Sequence, residues 1–418
     1  MESNNKSINF KSNRLIAFGL LLIFPFLSFV IAMRNWKRDY AKSILIGVIV
    51  FLGMTSLPEG DLERYQTYYY YNASQSFEMM WHNLISLQEG KFYITFFSFL
   101  FGLVFQHHNI FIGFLFFIFG YYLVNFVFLI YNSNKAFVEN RIGLLIFFSF
   151  ALFFSLRNAV NLAFYTGAIY ILYWIVKSIL TQNNKFLIPL LLAPLFHFAL
   201  TLALIPVMLF VLLKSRTFIC IALVVVSYML PPSIVNNTMG DLANDNESTI
   251  IEDRYNNYAS EKGIEYMNKR YEKGASNANF KLKLLNDIKN IIFDNVIYIG
   301  LFLFLIFFKR YKNNKLLIQF FNMILLFWAI SNLMMNVSNG NRYQIFQITL
   351  GVVFFVLLYQ TKIKNRIMNA YFFILFPLVF LYGLMNLYAT NKMISTNFFV
   401  SNFFVEIISP SDVSSELK

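Results

Sequence analysis

The chain has 418 residues, of which 58% are hydrophobic and only 13% charged, and its formal net charge is +13. A soluble domain carries about 25% charged residues, so this composition excludes an ordinary water-soluble protein and indicates helices that span a lipid bilayer. The basic residues lie in short loops between apolar runs, which excludes a nucleic-acid-binding surface, and the single cysteine, Cys220, excludes a disulfide framework.

Continuous apolar stretches, in chain order, predict the membrane helices. They cover residues 14–33, 43–57, 92–105, 109–131, 141–156, 158–176, 186–213, 217–232, 291–308, 316–335, 343–360 and 367–388. We therefore expect an all-α polytopic membrane protein with about 11–13 transmembrane or re-entrant helices in one domain over residues 1–418. The first stretch is too long for the core of a signal peptide and predicts one helix.

Charge predicts the orientation of these helices, because short basic loops stay in the cytoplasm. The basic loops are 33–42, 177–185, 214–216, 309–315 and 362–366. The acidic segment 58–91 and the long polar segment 233–290 then face outside, the first as an outer loop with an interfacial part and the second as an extracytoplasmic subdomain.

Two stretches do not fit a single crossing. Stretch 92–105 is short, and we expect it to be re-entrant or interfacial. Stretch 186–213 has basic residues at both ends, so it crosses twice or dips and returns, and Pro194 and Pro206 are expected to break it. A dipping hairpin carries His197 towards the outer side.

This topology gathers isolated polar residues on one side of the membrane, where ionisable groups are costly and mark functional sites. They are Asp61, Arg64, Tyr65, Arg157, His197 and Arg342. Each also has a structural interpretation: an arginine can extend to lipid headgroups, a histidine can be buried and hydrogen-bonded, and the tyrosine row "YQTYYYY" can form an interfacial belt. His107 and His108 are adjacent and lack an acidic partner, so no metal is expected.

Arginine forks match phosphate and diphosphate groups, and an outward-facing cluster suits a lipid-linked diphosphate. A diphosphate is a good leaving group, and Asp61 or His197 is a candidate base for a sugar hydroxyl. Tyrosine faces can stack on sugar rings. These residues predict glycosyl transfer from a polyprenyl diphosphate outside the membrane, without a cofactor.

Short motifs over residues 14–390 carry a family resemblance. "GDLERY" follows the second apolar stretch, an arginine opens "RNAVNLAFYTGAIYILYWIVK", "FHFAL" lies one helix later, and "NGNRYQIF" precedes a late helix. In these features the chain resembles the EpsG-type, Wzy-like polysaccharide polymerases of bacterial envelopes. The family often has an arginine before the Gly-Asp pair, whereas this chain reads "GMTSLPEGD". Either Arg64 takes that place or the acceptor differs.

The resemblance implies an enzyme of the cytoplasmic (inner) membrane that joins oligosaccharide repeat units carried on undecaprenyl diphosphate, similar in architecture to metal-independent, GT-C-like glycosyltransferases. Arg157, Arg342 and Arg64 would hold diphosphates, and His197 or Asp61 would be the base. Tyr65 would contact the saccharide, and Tyr255 and Tyr258 of segment 233–290 would cover it. Its partners would be the lipid-linked oligosaccharide, membrane lipid, a flippase and a chain-length regulator.

Three other functions fit the same pattern. A flippase for lipid-linked oligosaccharides also has basic inner loops, although its charges usually line a central cavity between internal repeats. An O-antigen ligase or a related glycosyltransferase would share the chemistry of the site. An assembly protein without catalysis is the third.

Overall fold

The computed structural model describes residues 10–58, 61–85, 91–133, 161–214, 216–230, 294–335, 340–361 and 365–408. Within these ranges the secondary structure is helical, with one isolated β-bridge between Ser56 and Ile394. The all-α class is therefore confirmed for the described part of the chain.

The α-helices of the first half are α1 (Phe10–Ile23), α2 (Pro25–Arg34), α3 (Asp39–Met54), α4 (Asp61–Ala73), α5 (Phe77–Ile85), α6 (Phe92–Gly102), α7 (His108–Ser133), α8 (Leu162–Thr181), α9 (Ala193–Phe196) and α10 (Thr201–Leu213). Those of the second half are α11 (Thr217–Met229), α12 (Asp294–Ile306), α13 (Phe308–Tyr311), α14 (Lys315–Met334), α15 (Gln344–Gln360), α16 (Arg366–Thr390), α17 (Asn397–Val400) and α18 (Phe403–Ile408). Short 3₁₀ segments cover Asn184–Leu192, Phe198–Leu200, Gly340–Tyr343 and Asn391–Met393.

Four helices of the described residues are long and apolar enough to cross a membrane. They are His108–Ser133, Leu162–Thr181, Lys315–Met334 and Arg366–Tyr388. Each coincides with a predicted stretch to within a few residues, because an apolar run of about 20 residues matches the thickness of the hydrocarbon core. The predicted stretch 141–156 and segment 233–290 lie outside the described residues.

The prediction of one helix over 14–33 is wrong. The chain bends at Phe24, whose backbone is extended (φ −145°, ψ 72°), and α2 starts at Pro25. The Ser28 hydroxyl donates to the carbonyl of Ala17 over 2.9 Å, although a straight helix would separate residues so far apart in sequence by about 16 Å. The two short helices therefore pack on each other.

Helices α3 and α7 are antiparallel and define the two ends of the bundle. Gly53 packs on Phe116 near the end of α3, and the Lys42 ammonium lies 4.9 Å from the Phe128 ring centroid near its start. We call the end that holds Lys42 the basic end. Helix α8 reaches the same end, where Gln182 donates to Gln319 near the start of α14 over 2.7 Å.

The stretch 186–213 turns back at His197, as its two basic ends require. Near the basic end, the Phe186 ring stacks on Trp174 of α8, with ring centroids 6.1 Å apart. Further along the segment, the ring centroids of Phe196 and Tyr170 are 5.2 Å apart. The segment thus runs antiparallel to α8 up to His197, whose extended backbone (φ −161°, ψ 127°) separates α9 from the next 3₁₀ turn. Helix α10 then returns to Lys214, whose carbonyl accepts from Asn322 over 2.9 Å.

The expected breaks at Pro194 and Pro206 are not where the chain turns. Pro194 is the second residue of the short helix α9, a position that needs no backbone N–H donor, and Pro206 lies inside continuous α10. The break falls between them, at His197.

The segment after α3 contains helices α4, α5 and α6. Helix α6 has 11 residues and extends only about 17 Å, too short for a hydrocarbon core of about 30 Å. It lies along α4, where Asn72 donates to the Ser98 hydroxyl over 2.7 Å. These three helices form a layer at the end opposite the basic end.

Candidate functional site

Helix α4 contains the whole of the polar row "DLERYQTYYYYN". Its buried residues are Leu62, Tyr65, Tyr69 and Asn72, which recur every three or four positions and therefore share one helix face. Tyr70 and Tyr71, by contrast, are about half exposed. The tyrosines are thus not one interfacial belt, because the helix period turns some of them into the protein and the others outward.

Tyr65 joins α4 to the first turn of α8. Its hydroxyl lies 3.4 Å from Asn161 Oδ1, to which it donates, and it accepts from the backbone N–H of Ala163 over 3.3 Å. Asn161 is the N-cap of α8, since Oδ1 also accepts from the Phe164 N–H over 3.2 Å. The helix start that follows Arg157 in the sequence is therefore fixed by a residue of α4.

A single aromatic ring connects His197 with Arg342. The guanidinium carbon of Arg342 lies 5.9 Å from the centroid of Phe164, and the His197 imidazole meets the same ring edge-on with centroids 5.8 Å apart. Phe164 is buried at the start of α8. Contact between a guanidinium and a ring face stabilises by about 0.5–1 kcal/mol, and by more where water is excluded.

The turn after His197 is held on both sides. His197 Nδ1 accepts from the backbone N–H of Ala199 over 3.1 Å, and the Tyr343 hydroxyl donates to the Ala199 carbonyl. Gly167 lets this turn approach α8, because a Cβ there would lie 2.1 Å from Leu200 Cδ1. The 3₁₀ segment Gly340–Tyr343 is thereby fixed beside His197.

Lys91 adds a second cation near Tyr65. Its ammonium lies 5.3 Å from the ring centroids of both Tyr65 and Tyr68, at the start of α6. In the sequence Lys91 is, with Arg64, one of two basic residues in segment 58–91, which also holds five acidic residues. The one local feature that could have marked Lys91 as a site residue is that it immediately precedes an apolar helix.

Asp61 and Arg64 form an ion pair in the first turn of α4. Arg64 Nη1 lies 3.2 Å from Asp61 Oδ1, with side-chain exposures of 53% for the arginine and 18% for the aspartate. A carboxylate in the first turn of a helix is stabilised by the helix dipole. Exposed ion pairs contribute little to stability, so this pair leaves Arg64 able to contact another anion.

The hydroxyl of Tyr65 interacts electrostatically with a negative group, Asp61, and with a positive group, Arg342. Burial raises the pKa of Tyr65 well above its usual value, neighbouring Tyr93 and Asp61 raise it further, and Ala163 and Arg342 oppose them. The phenol therefore stays protonated at neutral pH and acts as a hydrogen-bond donor. This links Asp61 and Arg342, which belong to different helices, to one buried group.

The structure thus brings together five of the predicted site residues: Asp61, Arg64, Tyr65, His197 and Arg342. Arg157, Tyr255 and Tyr258 lie outside the described residues. Sequence reasoning missed Lys91, Asn161 and Phe164. An asparagine just before an apolar run is a typical N-cap signal, and it could have marked Asn161.

No group of three or more potential metal-ligating side chains occurs within the described ranges. His108, from the adjacent histidine pair, forms a hydrogen bond between its Nδ1 and the Tyr70 hydroxyl over 2.9 Å.

Comparisons with protein-family models, curated proteins and solved structures found no match for this chain.

Proposed function

We propose that the protein is a polysaccharide polymerase of the cytoplasmic membrane. It joins oligosaccharide repeat units carried on undecaprenyl diphosphate, at the outer face. The observation that carries this proposal is the shared ring of Phe164, which lies against both His197 and Arg342 at the end opposite the basic end. Basic loops mark the cytoplasmic side, so that opposite end faces outward.

The cations at this end suit a diphosphate. Arg342 offers a planar fork for two phosphate oxygens, while Lys91 offers a point charge beside Tyr65. These positive charges stabilise the negative charge that develops on the diphosphate as the bond between the sugar and its phosphate breaks. Arg157, which precedes the helix capped by Asn161, is proposed to contact the same group.

The hydrogen bond of His197 supports a role as a hydrogen-bond donor, which leaves Asp61 as the candidate base. Because Nδ1 accepts from the Ala199 N–H, a neutral imidazole carries its proton on Nε2 and offers a donor. A donor assists the departing diphosphate. Asp61 is then the base that removes the proton from the acceptor hydroxyl, with Arg64 as its counter-ion.

The test is the lipid-linked glycan of cells that carry Arg342→Ala or His197→Ala, with protein level measured. We expect single repeat units to accumulate on the outer leaflet while long chains disappear. The matched control is Arg310→Ala, whose guanidinium also lies over a phenylalanine ring, 5.4 Å from the Phe307 centroid, but which belongs to the basic segment 309–315. This control should make chains of normal length.

Other outcomes would replace the proposal. Units that accumulate on the inner leaflet would make the protein a flippase. Long chains that form but are not transferred to their final acceptor would make it a ligase. Normal chains in all variants would rule out a role for this site.

A further inference from the structure

A second site lies at the basic end, away from the residues discussed above. A cavity of about 630 Å³ opens between α11, α13 and α14. Four cations line it: Lys214, Arg216, Lys312 and Lys315. None of the described residues that line the cavity is acidic, so its charge is not neutralised from within.

Two helix N-termini add to this positive potential. Helix α11 starts at Thr217 and α14 starts at Lys315, and both residues line the cavity. Asn314 caps α14 by accepting from the Leu317 N–H over 3.2 Å, so other N–H groups of the first turn remain for a ligand. Helix N-termini bind phosphate through such N–H groups and the helix dipole.

One residue that lines the cavity, Thr217, has a hydroxyl without a hydrogen-bond partner in the described part of the chain. Thr217 is only 4% exposed, and its Oγ1 is buried. Buried polar atoms are nearly always paired, and a turn of this side chain towards the cavity would let the hydroxyl pair with a group bound there.

The wall of the cavity is apolar and accessible. Phe218 is 79% exposed and Ile219 40% exposed, although both border the cations. The Phe218 ring lies 6.5 Å from that of Phe308, which faces the cavity from α13. A free phosphate or a soluble nucleotide would leave these side chains uncovered, whereas a lipid would cover them with its acyl chains.

We infer that this cavity binds an anionic phospholipid of the phosphatidylglycerol type. The headgroup phosphate is held by the four cations and the Thr217 hydroxyl, and the acyl chains lie along Phe218 and Ile219. Basic pockets between membrane helices on the cytoplasmic side suit such headgroups. The inference does not depend on the enzymatic proposal, because it concerns the other end of the protein.

The first test measures phosphatidylglycerol retained by the full-length protein in detergent, using native mass spectrometry across a lipid titration. We expect Lys312→Gln/Lys315→Gln to weaken retention by roughly fivefold for each cation removed. The matched control, Arg34→Gln/Lys37→Gln, removes two exposed cations that do not line the cavity. Equal retention by the two double variants would overturn the inference.

Thr217→Val gives an independent readout. It keeps the shape of the side chain and removes the hydroxyl, so a merely structural Thr217 would leave retention unchanged, and that result would count against the site. We expect weaker retention of phosphatidylglycerol and unchanged retention of phosphatidylcholine. A competition experiment compares inorganic phosphate with added phosphatidylglycerol as displacers of the bound lipid. If millimolar phosphate displaced the lipid to the same extent, the cavity would be an anion site and not a lipid site.

Discussion

The hydroxyl of Tyr65 hydrogen-bonds to the side chain of Asn161 over 3.4 Å, across 96 positions of sequence. This contact fixes the first turn of α8 against α4, and the same turn carries Phe164. The positions of His197 and Arg342 depend on that ring, so Tyr65 helps to position both of them through the first turn of α8.

Tyr65→Phe should lower the free energy of unfolding by about 1 kcal/mol. The substitution keeps the buried ring, but Asn161 loses a donor and the buried Ala163 N–H loses its acceptor. Thermal denaturation of the purified protein measures the change. Tyr71→Phe, at an exposed position of the same helix, is the control and should leave the midpoint unchanged.

Gly167→Ala should destabilise the protein by about 1–3 kcal/mol and reduce polymer length, because its Cβ would displace Leu200 and the adjoining His197 turn. Gly19→Ala is the control, since nothing lies within 4 Å of the added Cβ. Leu200→Ala in the Gly167→Ala background should recover part of the polymer length. If the double variant were no better than Gly167→Ala alone, overpacking would not be the cause.

Arg342→Lys should lower the polymerisation activity, although the substitution keeps the positive charge. Lysine supplies one point charge where arginine supplies a planar fork, so we expect the polymerisation rate to fall about tenfold, and about a hundredfold for Arg342→Ala. Chain formation from purified lipid-linked units is the measurement. Equal rates for the wild type and the lysine variant would argue against bidentate contact with a diphosphate.

His197→Gln distinguishes a donor from a base. Glutamine places an amide N–H near the position of Nε2 but cannot take up a proton at neutral pH. If His197 donates, the glutamine variant should keep clearly more activity than His197→Ala, and Asp61→Asn should be the more damaging change. Equally inactive glutamine and alanine variants, with an active Asp61→Asn, would make His197 the base.

Arg64→Ala should change the free energy of unfolding by less than about 0.5 kcal/mol, because the arginine is 53% exposed and its pair with Asp61 is screened by water. Any clear loss of polymerisation would therefore come from the site and not from unfolding. A lowered thermal midpoint would instead show that the pair is structural.

The sequence predicted those parts of the fold that depend on local length and charge. Apolar runs marked α7, α8, α14 and α16, and basic residues at both ends of 186–213 required a return at its middle. The bend at Phe24 was missed because the apolar run continues on both sides of it, although Pro25 is a signal for a helix start at this point. Pro206 was misjudged because a helix packed among others tolerates one lost hydrogen bond.

The candidate site was predicted by the cost of its charges, which made Asp61, His197 and Arg342 conspicuous in an apolar chain. The contacts between them could not be predicted. Phe164 is one of 52 phenylalanines and carries no local signal, and Lys91 meets Tyr65 only because α4 and α6 lie side by side. Such pairs follow from tertiary packing and not from spacing along the chain.

The ring of Phe164 also offers a spectroscopic probe. A fluorine atom placed at this ring by site-specific incorporation of 4-fluorophenylalanine would sense the guanidinium and the imidazole together, since both lie within 6 Å of its centroid. Protonation of the histidine, or arrival of an anion at the arginine, would each shift the ¹⁹F resonance. One label could thus follow ligand binding and histidine titration in the same membrane sample.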